Sequence, residues 1–173
     1  MNPKIRKILY TTDLSKNSAH AFEYASELAK QNGAELVILH VLEELPRHAR
    51  AYFETYMNWD KEKEIIHERQ DELINRIKTR LKLFCEKAFG VEDPQCEARV
   101  SSIEVCEGYP AEEILKMADE LNCDVIVMGA HGKGVLRHTF LGSVTERVLR
   151  RVRKPVFIVP LPAAESDLTF HDI

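Results

Sequence analysis

No stretch of this chain approaches the roughly 18 apolar residues that a membrane-crossing helix needs. No two of its cysteines share the C-x2-C spacing of a zinc site. Cys85, Cys96, Cys106 and Cys123 lie far apart. The start, Met1-Asn-Pro-Lys-Ile-Arg-Lys7, is basic but is not followed by the apolar region of a secretion signal. The thiols are therefore expected to stay reduced, most of them as small core residues, and the cytoplasm is the expected compartment. Charge of one sign is also lacking. The 24 Lys and Arg against 28 Asp and Glu leave a formal −4, which gives no general attraction to nucleic acid or an anionic membrane. Three familiar motifs are missing as well. No Gly-Lys-Ser/Thr closes a Walker A loop, no G-x-G-x-x-G opens a dinucleotide fold, and no G-x-S-x-G presents a nucleophilic serine.

What is present is one domain's worth of chain, 173 residues with 45% apolar content. Its focus is Gly129-Ala-His-Gly132, followed nine residues later by Gly142-Ser143. Ahead of it, Asp124-Val-Ile-Val-Met128 reads as a buried strand. Behind it, Val144, Val148, Leu149 and Val152 fall at helical spacing. A glycine-bearing loop thus leaves the carboxyl end of a strand and enters the amino end of a helix. That arrangement offers backbone N–H groups and a positive dipole end to an anion, typically phosphate. Gly129 suits a sharp turn, and Gly132 suits close approach of backbone to a ligand. Ser143-Val-Thr-Glu146 also fits a capping box, so Ser143 has two readings, helix cap and phosphate contact.

The rest of the chain alternates strand and helix. Ile8–Thr12 reads as a first strand, followed by the turn Asp13-Leu-Ser15 and a helix over about 18–32 that Ser15 or Asn17 can cap. Gly33 closes that helix. Glu35–Val41 is a second strand, apolar on both faces as a central parallel strand should be. Residues 42–58 read as a mobile loop. Trp59–Phe89 is a long helix with Ile66, Leu73, Ile77, Leu81, Phe84 and Ala88 as its apolar stripe. Residues 90–94 are a break. A third strand centres on Ser101–Cys106, and Pro110 opens a third helix with Ile114, Leu115, Ala118 and Leu121 on its core face. Pro155 and Pro160 bracket a fifth strand near a sheet edge. The domain is expected over 1–161 and a loose tail over 162–173. Strand and helix in alternation imply α/β architecture, a doubly wound parallel sheet with helices on both faces; the pattern leaves strand order open.

The spacing Gly-x2-Gly-x9-Gly-Ser resembles the nucleotide-binding motif of the ATP-binding branch of the universal stress protein family, and the likeness runs from Ile8 to Val159. The resemblance implies a single five-stranded, Rossmann-like sheet of order 3-2-1-4-5. In that order the first and fourth strands are neighbours at a topological switch point. It implies a site made of Asp13 after the first strand, with Thr11 and Thr12 just before it, Val41 at the end of the second, Gly129 and Gly132 after the fourth, and Gly142, Ser143 and Val144 at the next helix; Met128 and His131 complete the candidate set, His131 at a position that, like Lys133, varies within the family. The implied ligand is ATP or another adenine nucleotide with Mg2+, for which Asp13 is the metal-side carboxylate. Leu14 departs from the family, where many relatives carry glycine in an Asp-Gly-Ser turn. The resemblance further implies a homodimer through 156–159, an apolar edge that needs covering.

Each residue also has a plainer reading. Asp13 can cap the first helix, and His131 can be a solvent-facing loop residue. Lys133, Arg137 and His138 can steady phosphate or be merely solvated. The basic run Arg147, Arg150, Arg151, Arg153 and Lys154 suits a helix carboxyl end and lacks the interleaved aromatics of a nucleic-acid surface. The expected function is a nucleotide-dependent regulatory or stress-response module. The alternatives are a slow ATPase or nucleotide-phosphate hydrolase, and a dimeric interaction protein that binds no nucleotide. No catalytic residue is assigned.

Overall fold

The first strand, β1 (Lys7–Thr12), lies at the centre of the sheet. It is followed by α1 (Lys16–Asn32), β2 (Glu35–Glu43), α2 (Trp59–Phe89), β3 (Val100–Gly108), α3 (Pro110–Glu120), β4 (Val125–Gly129), α4 (Ser143–Arg151) and β5 (Val156–Val159). A computed structural model describes residues 4–44, 59–89, 99–132, 141–160 and 170, with backbone alone at 59–67 and 89. All strand pairs are parallel and the order is β3-β2-β1-β4-β5. This is the doubly wound arrangement expected from the resemblance.

Local chemistry explains the element ends. Ser15 caps α1, its Oγ accepting the Ser18 N–H at 3.2 Å. Gly33 ends that helix in the left-handed region at φ 60°. Pro110 sits in the first turn of α3, with Glu112 and Glu113 beside it at the positive end of the dipole. At the amino edge of the sheet the Asp124 carboxylate accepts the Arg6 and Lys7 N–H groups at 2.7 and 3.0 Å, tying β4 to β1. These two bonds hold its carboxyl below the usual carboxylate range.

Side chains alternate across the strands into two cores. Ile8, Tyr10, Leu36 and Ile38 pack against Phe22 and Ala25 of α1 and Leu81 and Phe84 of α2. Leu9, Val37, Leu39 and Ile126 pack against Ala111, Ile114 and Ala118 of α3 and Val148 of α4. Cys85 and Cys123 are buried among them, and burial pushes the Cys123 thiol up. Cys106 is half-buried. No helix among the described residues is long and apolar enough to cross a membrane.

The structure departs from the sequence reading in three places. β2 runs on to Glu43, because β3 pairs with it as far as Gly108. The remainder of the expected 42–58 loop, from 45 on, lies outside the described residues, as does the 90–94 break. The stripe of α2 is buried at Ile77, Leu81 and Phe84, but Leu73 is 47% exposed, since burial fades toward the amino-terminal half of the helix; the Ile66 side chain lies outside the description. Finally, the expected loose tail is described only at Phe170, and there it is anchored. Phe170 is buried, its ring stacks on Phe84 at 4.0 Å, and its carbonyl accepts the Arg80 Nε–H at 2.6 Å.

Candidate functional site

β1 and β4 are adjacent, yet the segments that follow them leave toward opposite faces, α1 into one core and α4 into the other. The divergence opens a crevice at the carboxyl ends of the strands, the usual ligand position in such sheets. A cavity of about 440 Å³ fills it, within the range of small-molecule sites. Thr11, Thr12 and Asp13 line it from β1, Val41 from β2, Met128, Gly129, His131 and Gly132 from β4 and beyond, and Gly142, Ser143 and Val144 from the start of α4. The residues that the resemblance brought together as a site therefore line one space. The middle of the loop, with Lys133, Arg137 and His138, lies outside the described residues.

The two walls meet through Asp13 and Gly132. Asp13 Oδ1 accepts the Ser15 N–H at 3.1 Å. Its other oxygen faces Gly132 so closely that a Cβ there would lie 2.6 Å from Oδ2. A Cβ on Gly142 would lie 3.3 Å from both the Ala130 carbonyl oxygen and His131 Cα. Neither Gly132 nor Gly142 has positive φ; among the described glycines that conformation belongs to Gly33 and Gly108. The loop glycines are needed for close approach, and Gly129 makes its exit from the strand without left-handed backbone. Hydrogen bonds fix the loop ends: Gly142 N–H to the Ala130 carbonyl at 2.7 Å, and Thr145 Oγ1 to the Gly129 carbonyl at 3.0 Å.

The capping-box reading of Ser143 fails. Gly142 is the N-cap and no side chain caps the helix. Glu146 instead pairs with Arg150 one turn on, at 2.5 Å. The positive end of α4 therefore opens on the cavity with no side chain among the described residues hydrogen-bonded to it as a cap. The helix-cap reading of Asp13 fails too, because Ser15 holds that place.

Sequence reasoning missed His40, Ser18 and Thr145, which also line the cavity. His40 is buried, and its Nδ1 lies 2.7 Å from the Thr12 carbonyl oxygen. The available signal was a single imidazole inside an otherwise apolar strand. Thr12 Oγ1 donates to Ser18 Oγ at 2.9 Å and accepts the Leu14 N–H at 3.0 Å.

Leu14 takes φ 63°, a region that costs a residue with a Cβ roughly 1–2 kcal/mol. It is retained with its side chain half-buried against the first core. Leu14→Ala keeps the strain and loses the contact, whereas Leu14→Gly loses the contact but also the strain. The glycine variant is expected to be the more stable of the two by about 1 kcal/mol, opposite to their order at an ordinary φ. Urea denaturation of both checks this, and an alanine variant of equal or greater stability refutes it.

The match to the universal stress protein family model spans residues 4–160, nearly all of the chain and both walls of the crevice. The chain belongs to the universal stress protein family. It is 33% identical over 159 residues to the universal stress protein MJ0577 of Methanocaldococcus jannaschii, covering 92% of this chain and 97% of that one. The solved structure of MJ0577 superposes with a TM-score of 0.65 at 28% identity, covering 94% of this chain and all of the other. A universal stress protein solved in complex with cAMP has the same fold, with a TM-score of 0.53 at 24% identity over 91% of this chain and 98% of its own.

The donor set of this universal stress protein suits a metal that arrives with a phosphate ligand. Among the described residues no group of three or more His, Cys, Asp or Glu side chains is placed to hold an ion. Asp13 offers a carboxylate between β1 and the glycine loop, and among the described residues Glu43 is the other carboxylate lining the cavity. Mg2+ takes few protein ligands when phosphate oxygens supply the rest.

Proposed function

We propose that the crevice binds an adenine nucleotide, with Mg2+-ATP as its fullest occupant, and that binding makes this universal stress protein a nucleotide-dependent regulatory module. The observation that carries the reading is the uncapped amino end of α4 facing the Asp13 carboxylate across a glycine-lined gap. Backbone N–H groups and the helix dipole favour the polyphosphate there. Asp13 would take Mg2+ on the opposite side, because a carboxylate facing phosphate needs a cation between them. Val41, at the far wall, would meet the base through its backbone. The same fold holds cAMP in a solved universal stress protein. The bound metal would supply charge neutralisation at the phosphates.

Mg2+-ATP is expected to raise the melting midpoint, since a ligand selective for the folded state adds about 2.7 kcal/mol at a hundredfold excess over Kd. Mass spectrometry of small molecules released from the purified protein identifies the occupant. No shift at millimolar Mg2+-ATP, with no nucleotide released, rejects the reading.

The proposal extends to a homodimer through β5. This strand ends the sheet and pairs with β4 alone among the described strands. Phe157 is exposed there beside Tyr24, their ring centroids 6.2 Å apart. An apolar edge of this kind pairs or is covered. Light scattering is expected to give twice the chain mass, and Phe157→Lys to give the monomer. A parent protein that stays monomeric overturns the dimer.

A further inference from the structure

β2 continues to Glu43 while its neighbour β1 stops at Thr12. His40 lies opposite Thr12 in the register. At that point the His40 imidazole, 6% exposed, meets the Thr12 carbonyl oxygen at 2.7 Å through Nδ1. A carbonyl oxygen only accepts, so Nδ1 carries the proton and donates. The Thr12 carbonyl belongs to the peptide that links Thr12 to Asp13. Holding it fixes the plane from which the Asp13 side chain springs. The next two amides are held in turn, Leu14 N–H by Thr12 Oγ1 at 3.0 Å and Ser15 N–H by Asp13 Oδ1 at 3.1 Å. These contacts keep the left-handed Leu14 in place and leave Asp13 Oδ2 facing Gly132.

We infer that His40 is a positioning residue: its imidazole pins the Thr12–Asp13 peptide and thereby aims the Asp13 carboxylate at the metal and phosphate end of the bound nucleotide. This rests on the nucleotide reading above. His40 touches the ligand's affinity through Asp13, so it matters most to ligands whose metal engages that carboxylate. Mg2+-ATP depends on it strongly and AMP without metal weakly.

Two isosteric amides separate donor position from polarity, because asparagine can place its N–H near the Nδ1 position and glutamine near Nε2. His40→Leu and His40→Gln are expected to weaken Mg2+-ATP binding about tenfold, the loss of one buried hydrogen bond, with a smaller loss for AMP. His40→Asn is expected to restore most of it. In the nucleotide-free protein, amide exchange at Leu14 and Ser15 is expected to quicken by about the same factor in the Leu and Gln variants and not in Asn. Exchange at core amides of α1 serves as the internal control. Equal behaviour of the Asn and Gln variants, or equal losses for AMP and Mg2+-ATP, overturns the inference. Should the parent protein take up no nucleotide, the proposed function fails, and the exchange measurement still decides whether His40 sets the Asp13 turn.

Discussion

Replacing Phe84 with alanine is expected to lower the unfolding free energy by about 3–5 kcal/mol. The ring is 1% exposed in the core between α1, α2 and the sheet. It meets Phe22 edge-on at 5.1 Å and stacks on Phe170 at 4.0 Å, while Phe22 in turn meets Tyr10 at 5.3 Å. Removing it takes an interior ring from a chain of four. The transfer and cavity costs add, and Phe170 also loses the surface that seats it. Phe84→Leu keeps most of the volume and is expected to cost less than about 2 kcal/mol. Urea unfolding at constant m-value measures both. A loss under about 1 kcal/mol for alanine would mean that the site collapses without a cavity, contrary to a packed aromatic core.

Gly132→Ala is expected to weaken Mg2+-ATP binding by roughly 1.5–3 kcal/mol, the range for a hydrogen bond or contact to a charged group, or about 10- to 150-fold. The added Cβ would come within 2.6 Å of Asp13 Oδ2, so it and the carboxylate cannot both keep their places. Asp13 is short and its Oδ1 is tied to the Ser15 N–H. Either the carboxylate swings out of the crevice or the loop backs away from it, and both separate the metal side from the phosphate side. Folding stability is expected to move by less than about 0.5 kcal/mol, because Gly132 carries no core contact. Calorimetric titration with Mg2+-ATP, set beside the melting midpoint, reads the two effects apart. An unchanged affinity would remove Asp13 and Gly132 from the site and leave the end of α4 as its sole anchor.

These two residues mark different limits of sequence reading. Phe84 was legible as core because it falls on the helical stripe of a long amphipathic segment. Leu73, at the same spacing, was not separable from it. Periodicity tells which side of a helix is apolar and does not tell how far along the helix the sheet reaches. Gly132 was legible as a glycine needed for close approach to a ligand. Spacing did not reveal that Asp13 of the same chain also leaves no room there, a Cβ on Gly132 falling 2.6 Å from its Oδ2. Ser143 shows a further case. Its spacing to Glu146 satisfied a cap motif, yet the helix begins one residue too early for that cap to form, with Gly142 as N-cap and Glu146 turned to Arg150.

The sequence by itself determined the alternation of strand and helix, the burial of both faces of β2, the closing of α1 by Gly33 with Ser15 or Asn17 left as its cap, and a glycine loop running into a helix start. Those features arise from interactions within a few residues, so spacing records them. Strand order did not follow from the pattern and came through the family resemblance. Only the tertiary structure decided that His40 would hold the end of β1, that Asp13 would lie against Gly132, and that Phe170 would return to Phe84. The partners are 28, 119 and 86 positions apart in the chain. Such contacts depend on which strands lie side by side and which faces the helices cover, and no local spacing encodes that choice.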